Sequence, residues 1–321
     1  MEKCLLIVNP ISGTTDKQGL AERTIHKLRR ADIKVEVLYT EKPGDAREYA
    51  GIAAQKGYLG AIAAGGDGTV NEVASGLIGS NTALGILPLG SGNGLARHLN
   101  ISTDISDALN VISKRNIVDC DYCDANGHPF FCTFGLGFDA AVSKSFSKSK
   151  HRGLATYIRS ALQEYLKFEP SEYLLEANGK KIRFRAFIVA ACNASQYGNN
   201  AFIAPEASIK DGLMDLTIVH AGTPFTQALM GVDLLTGMIR NNMIIQTMKV
   251  KEATIRRLEE GPAHLDGDPM DMGEEIKLFC HHHQLKIFTT GEPHPVHPFL
   301  TPLKYFNREI LNRIRRLRKD Y

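Results

Sequence analysis

The chain has 321 residues, a formal net charge of +3, and 43% hydrophobic, 23% charged and 7% aromatic residues. At roughly 100–200 residues per domain this suffices for two domains with separate cores, and the composition excludes disordered, collagen-like and disulfide-scaffold chains. The apolar runs at 5–8 and 187–192 fall far short of the roughly 20 residues a membrane-spanning helix needs, and residues 1–10 lack a signal-peptide pattern, so the reading is a cytoplasmic chain.

The first 124 residues alternate short apolar runs with amphipathic stretches. Strands are predicted at 5–9, 35–40, 61–64, 83–88 and 117–120, with helices at 18–30, 45–56, 70–77 and 105–113. This is a βα repeat and predicts an α/β domain with an open, mostly parallel sheet. After Cys123 the rhythm changes. Runs at 172–177 and 181–190 flank Asn178-Gly179, a hairpin signal, and further strands are predicted at 213–219, 248–257 and 275–288. Residues 125–302 therefore read as a second, mostly antiparallel β-sandwich-like domain with one inserted helix at 153–168. The six cysteines (Cys4, Cys120, Cys123, Cys132, Cys192, Cys280) lie mostly within apolar runs, as reduced thiols do. The Cys120-x-x-Cys123 spacing has no second pair to make a zinc site.

In an open α/β sheet, ligands sit beyond the carboxyl ends of the strands. Three of the four tips here are rich in Gly, Ser, Thr and Asn: Asn9-Pro10-Ile11-Ser12-Gly13 after the first strand, Gly65-Gly66-Asp67-Gly68-Thr69-Val70-Asn71-Glu72 after the third, and Leu89-Gly90-Ser91-Gly92-Asn93-Gly94 after the fourth. Thr40 follows the second. Glycines let backbone N–H groups converge on a ligand, and the following helix N-terminus adds positive charge, so the surface suits a polyphosphate. No G-x-x-x-x-G-K-[ST] P-loop occurs, and the spacing at Gly90 does not make a dinucleotide loop.

These residues resemble the diacylglycerol kinase catalytic-domain family of soluble bacterial lipid kinases, sphingosine kinases and ceramide kinases. Residues 65–72 resemble its GGDGTxNE signature, Asn9-Pro10 with Ser12-Gly13 its NPxSG loop, and residues 87–93 its LPxGTxN segment. In the second half, Gly135-Leu136-Gly137-Phe138-Asp139-Ala140 resembles GxGxDA and Asp211-Gly212-Leu213-Met214-Asp215 resembles DGxxD. Asp266-Gly267-Asp268 stands where the family has DGE. The resemblance implies an NAD kinase/diacylglycerol kinase-like fold and transfer of the ATP γ-phosphoryl group to a lipid hydroxyl. It implies a nucleotide cradle of Asn9, Pro10, Ser12, Gly13, Thr40, Gly65, Gly66, Gly68, Thr69, Asn71, Glu72, Ser91, Gly92 and Asn93. Each Ser and Thr among them also reads as an ordinary helix cap.

Phosphoryl transfer asks mainly for positioning, charge neutralisation and a carboxylate to orient or deprotonate the nucleophile. Asp67 suits that role, since a carboxylate between glycines at a strand tip would be wasteful without a partner. Asp268 is the second candidate; in place of Glu it shortens the reach by about 1.5 Å, which matters for a contact of roughly 2.6–3.2 Å. A nucleotide-binding relative with impaired catalysis is the alternative this raises. Mg²⁺ is expected with the nucleotide. By resemblance Asp211, Met214 and Asp215 form a further Mg²⁺ loop; without it they read as a D-G turn before a strand. Asp139, Arg152 and Arg159 are implied on the acceptor side, with solvated helix charges the other reading of the arginines.

Residues 303–321 hold seven Lys or Arg against two acids, leaving the remainder at −2. Apolar residues recur there at helical spacing, which predicts a basic amphipathic helix that packs on the first domain and turns a basic face to anionic lipid. Lys144, Lys148, Lys150 and Arg152 form a second basic group. Peripheral membrane association follows as an expectation. Diacylglycerol is the first-choice acceptor, with a sphingoid base or ceramide second. The resemblance also carries homodimer formation, for which no interface segment is legible. Nucleic acid is not expected, because only the basic C-terminal segment would favour it.

Overall fold

The computed structural model describes residues 1–13, 17–149, 154–239, 242–291, 296–304 and 306–307. The chain divides into two compact units, Met1–Cys120 together with the chain from His283, and Asp121–His282.

In the first unit β1 (Glu2–Val8), α1 (Lys17–Arg29), β2 (Ile33–Tyr39), α2 (Asp45–Gln55), β3 (Gly60–Gly65), α3 (Asp67–Leu77), β4 (Ala83–Pro88), α4 (Gly94–His98) and α5 (Ile105–Ser113) follow one another. β1 pairs in parallel with β2 and with β3, and β3 with β4. Every residue of β3 and β4 is buried, which is why both read as unbroken apolar runs rather than alternating ones. Helix α5 buries Ala108, Leu109, Val111 and Ile112, and Asp104 caps it by accepting from the amides of Ser106 and Asp107. Helix α3 starts at Asp67, before the expected residue 70, because Gly66 takes the N-cap place. The single turn α4, with Arg97 and His98 buried, had no periodic signal to announce it.

The second unit begins within β5 (Ile117–Ala125) and continues through β6 (His128–Phe130), β7 (Thr133–Gly137), α6 (Phe138–Ser147), α7 (Leu154–Tyr165), β8 (Ser171–Ala177), β9 (Lys180–Cys192), β10 (Met214–His220), α8 (Pro224–Thr236), β11 (Ile245–Val250), β12 (Glu252–Arg257), β13 (Gly261–Leu265) and β14 (Asp268–Met272) to β15 (Glu275–Phe288), which ends in the first unit. Its strands run β14-β13-β7-β9-β8-β12-β15, with β10 between β9 and β11. The β8–β9 hairpin turns at Asn178 (φ 50°) and Gly179 (φ 71°), the conformation that Asn-Gly favours. From Ile188 onward, successive β9 residues alternate between two apolar clusters. Val189 and Ala191 join Phe134, Leu216 and Ile255, whereas Ile188, Ala190 and Cys192 join Ile203, Val219 and Met230. Truncating a wholly buried ring such as Phe134 is expected to cost about 3–5 kcal/mol.

Two expectations are corrected. Among the described residues the second unit carries three helices rather than one. Helix α6 opens directly from the GxGxDA element, and α8 escaped notice because its apolar residues are not confined to one face: Met230 is buried, while Phe225 and Val232 are 72% and 55% exposed. The expected strand at 248–257 is two strands, since Val250 pairs with β10 and Glu252 with β15. All six cysteines are buried free thiols, and burial pushes the Cys4 thiol up to about 12 and raises Cys123 and Cys192. Of the expected C-terminal helix, 305 and 308–321 lie outside the described residues. No described helix is long and apolar enough to cross a membrane.

Candidate functional site

Parallel pairing in register makes the first unit's strands end together. Val8 pairs with Tyr39 and Ala64, and Ala64 with Leu87, so Asn9, Thr40, Gly65 and Pro88 follow at one level, with Gly66 and Leu89 one residue further on. Side chains then tie these tips to one another. Asn9 donates through Nδ2 to the Thr69 hydroxyl at 3.1 Å, and its Oδ1 accepts from the Ile11 amide. The Asp67 carboxylate accepts from the Asn93 amide through Oδ2 and from the Gly94 amide through Oδ1, both at 2.8 Å. Asn93, in the left-handed region, closes its own loop by accepting from the Gly90 amide and donating to the Gly90 carbonyl, while Arg97 Nε donates to the Gly92 carbonyl. Gly66 and Gly90 pass so close that a Cβ on Gly90 would stand 2.6 Å from Gly66 Cα.

Asp67 is thus a clamp between the tips of β3 and β4, with the Asn93 and Gly94 amides as its structural partners. Glu72 is a second clamp. Its two oxygens accept from the amides of Gly44 and Ala46, at 3.0 and 3.2 Å, fixing α2 against α3. Asp45 accepts from the amides of Glu41 and Lys42, and these bonds hold its carboxyl below the ordinary range. Asn71 accepts from Ser75 one turn along α3. Pro10, Gly13 and Ser91 are exposed at the same end of the sheet. Gly66 caps α3 without a side chain, so no N-cap side chain occupies the amides of its first turn.

In the second unit Asp139 lies in the first turn of α6, only 5% exposed. Its Oδ1 accepts from the Ala140 amide, and its Oδ2 receives the Tyr197 hydroxyl at 2.7 Å and lies 3.2 Å from His264 Nε2. Asp266 accepts from the amides of Phe131, Cys132 and Thr133, which pins the turn that precedes Asp268. Asp268 itself is exposed at the start of β14, paired with Leu265. Arg159 is exposed on α7, Lys144 is engaged by Asp271 at 2.7 Å, and Lys150 and Arg152 lie outside the described residues. Sequence reasoning missed Tyr197, which sits in an irregular segment without periodicity. It also missed His264, whose only signal was a polar residue facing inward on a short strand.

The Asp211–Asp215 loop holds a cation of its own. Lys249 Nζ, from β11, lies 2.9 Å from Asp211 Oδ2 and 2.9 Å from Asp215 Oδ2, with the Glu206 carbonyl at 3.4 Å. Asp215 is the more deeply buried partner, and burial lifts its carboxyl above the ordinary range despite the lysine. Burial acts on Lys249 to lower it, but the two carboxylates outweigh this and hold its ammonium above the usual value. An Mg²⁺ between these carboxylates would need the place of the ammonium, so the pair as arranged does not fit the metal.

Residues 3–125 match the diacylglycerol kinase catalytic domain, and residues 133–285 the YegS C-terminal NAD kinase beta sandwich-like domain. A probable lipid kinase YegS-like protein of Pectobacterium atrosepticum is 31% identical over 277 residues, covering 83% of this chain and 89% of the relative. The chain belongs to the YegS-like lipid kinases. This lipid kinase is also 28% identical to a diacylglycerol kinase of Bacillus subtilis, over 88% of its own length and 96% of the relative's. Its fold matches the crystal structure of a putative diacylglycerol kinase from Bacillus anthracis str. Sterne, with a TM-score of 0.75 at 25% identity over 90% of this chain and 98% of that one. It is an enzyme of the kinase class with the two-domain diacylglycerol kinase-like fold, and membership of that class implies the use of ATP.

Proposed function

We propose that this lipid kinase transfers the γ-phosphoryl group of Mg²⁺-ATP to the hydroxyl of diacylglycerol, giving phosphatidic acid. The observation that carries the nucleotide half is the alignment of three glycine-rich tips, locked by Asn9–Thr69 and by Asp67 on the amides of Asn93 and Gly94. Such a frame presents backbone N–H groups at the start of α3 in fixed positions, as phosphates require. Asn9, Ser12, Thr40, Thr69, Ser91 and Gly92 are assigned to the nucleotide. Asp67 and Glu72 hold the frame, so Asp67 serves the reaction chiefly by positioning. Asp268, exposed and next to a pinned turn, is assigned the carboxylate work at the acceptor hydroxyl, and Asp139 the acceptor side.

Diacylglycerol is favoured by the likeness to the Bacillus subtilis diacylglycerol kinase over nearly the whole of both chains. Reaching such an acceptor requires a lipid surface, and α8 offers one contact, its residues Phe225, Leu229, Val232 and Leu235 all being exposed. The test is transfer of label from γ-labelled ATP, with Mg²⁺, to micellar diacylglycerol, monoacylglycerol, sphingosine, dihydrosphingosine and ceramide, beside Asp67→Asn and Asp268→Asn. Labelled phosphatidic acid that vanishes with Asp268→Asn supports the reading. Label on a sphingoid base or ceramide alone overturns the acceptor assignment, and full activity of Asp268→Asn overturns the catalytic one.

A further inference from the structure

His264 is 2% exposed, and both of its ring nitrogens have hydrogen-bond partners within the chain. The Gly267 amide donates to Nδ1 at 3.4 Å, which assigns the proton to Nε2, and Nε2–H then donates to Asp139 Oδ2 at 3.2 Å. Tyr197 donates to that same oxygen and Ala140 to the other, so Asp139 is held by three donors from three separate segments. The imidazole is therefore aimed. Asp139 sets its ring orientation and tautomer, and the nitrogen left as an acceptor grips the backbone of the β13–β14 turn.

Space for this pair is made deliberately. His264 lies opposite Gly135 in the β13–β7 ladder, and a Cβ on Gly135 would stand 2.2 Å from Asp139 Oδ2 and 2.4 Å from His264 Nε2. The turn that His264 grips has two central residues, Asp266 at φ 50° and Gly267 at φ 90°, and Asp268 follows at once. Asp266 fixes the near side of the turn through three amides of residues 131–133, and His264 fixes its far side through Gly267. A carboxylate one methylene short tolerates less freedom in its backbone than a longer one, because no extra torsion can restore a misplaced oxygen.

We propose that His264 is a positioning residue for phosphoryl transfer, oriented by Asp139 and Tyr197 and holding the Gly267 amide so that the short carboxylate of Asp268 stands where the acceptor hydroxyl needs it. The proposal rests on the assignment of Asp268 to the acceptor hydroxyl, and its test separates the two. The full chain and its His264→Ala, His264→Asn, His264→Gln and Asp268→Asn variants are assayed with Mg²⁺-ATP and whichever micellar lipid the wild type turns over best. kcat, both KM values and Tm are recorded for each.

Asn places an amide oxygen near the position of Nδ1, and Gln places an amide nitrogen near that of Nε2. The expected result is a kcat about 10- to 100-fold lower in His264→Ala, with the KM for ATP unchanged. His264→Asn should recover most of that loss and His264→Gln little of it, at matched Tm. Wild-type kcat in His264→Ala overturns the proposal, as do losses that merely track Tm across the three variants. Recovery by Gln but not Asn also overturns it, by moving the role to the bond with Asp139. An inactive Asp268→Asn beside a fully active His264→Ala refutes the positioning role and leaves the catalytic assignment standing. A fully active Asp268→Asn removes the catalytic assignment, and the proposal with it.

Discussion

Replacing Lys249 by Met keeps an unbranched stem one atom shorter and removes the ammonium with its hydrogen bonds, leaving the Asp211 and Asp215 carboxylates facing one another. The side chain of Asp215 is 10% exposed and that of Asp211 is 31% exposed, so one carboxylate has little water to turn to. Removing one partner of a fully buried pair costs about 3–5 kcal/mol, and of a fully exposed one about 0–1. With Lys249 36% exposed, the intermediate burial points to about 2 kcal/mol, or roughly 4–8 °C in Tm. The assay is thermal unfolding without nucleotide, in EDTA and in millimolar Mg²⁺. The wild type should melt at one temperature in both, because its resident cation is an ammonium. Lys249→Met should melt lower in EDTA and regain part of the loss in Mg²⁺, as the bared carboxylates accept a divalent ion. A wild-type Tm that falls in EDTA, or stoichiometric Mg²⁺ retained through desalting, would refute the reasoning, for then the loop holds a metal that the lysine does not replace.

Glu72→Ala should destabilise the chain by about 1–2 kcal/mol, seen as a lower urea midpoint, since it strips acceptors from the amides of Gly44 and Ala46. Gly90→Ala should raise the KM for ATP at least tenfold while leaving the KM for lipid unchanged, because its Cβ drives the β4 tip away from Gly66. His98 is buried, and burial lowers its pKa from 6.5 to about 4. Between those values the unfolded chain binds a proton that the folded one refuses, so stability present above pH 6.5 is lost as pH falls through 4, by about 3 kcal/mol in all. A His98→Phe variant should show a flatter urea midpoint between pH 7 and pH 4.5, and an equal slope in both proteins would disprove this. Leu229→Asp with Val232→Asp on α8 should reduce cosedimentation with phosphatidylglycerol vesicles about tenfold without changing Tm; undiminished binding would place the lipid contact elsewhere.

The parallel half was legible because its physics is local. An unbroken apolar run such as 83–88 is too short for an ordinary helix and reads as a buried strand, and Asn178-Gly179 favours its hairpin turn. The glycine-rich tips were legible for the same reason, each being a contiguous string whose role follows from its place after a strand. What escaped depends on residues far apart in sequence. Nothing at position 67 tells that its carboxylate will meet the amides of residues 93 and 94, nor at 249 that a lysine will reach 211 and 215. His264 and Tyr197 meet Asp139 from 125 and 58 positions away, and only the folded strands bring them together. Helix α8 shows a different limit: a helix with apolar residues facing outward carries no single amphipathic stripe to read.

The route of the chain has a consequence for its synthesis. The second unit is spliced into the first, and its two ends are held together where Asp121 meets the ring of His282 at 2.8 Å. Leu84 finds its partner on the open side of β4 only in Ile287, about 200 residues later. At roughly 5–20 residues per second, a ribosome takes about 10–40 s to cover that distance. For that interval the nascent nucleotide-binding sheet has a bare edge, and the domain that begins first is the one that finishes last.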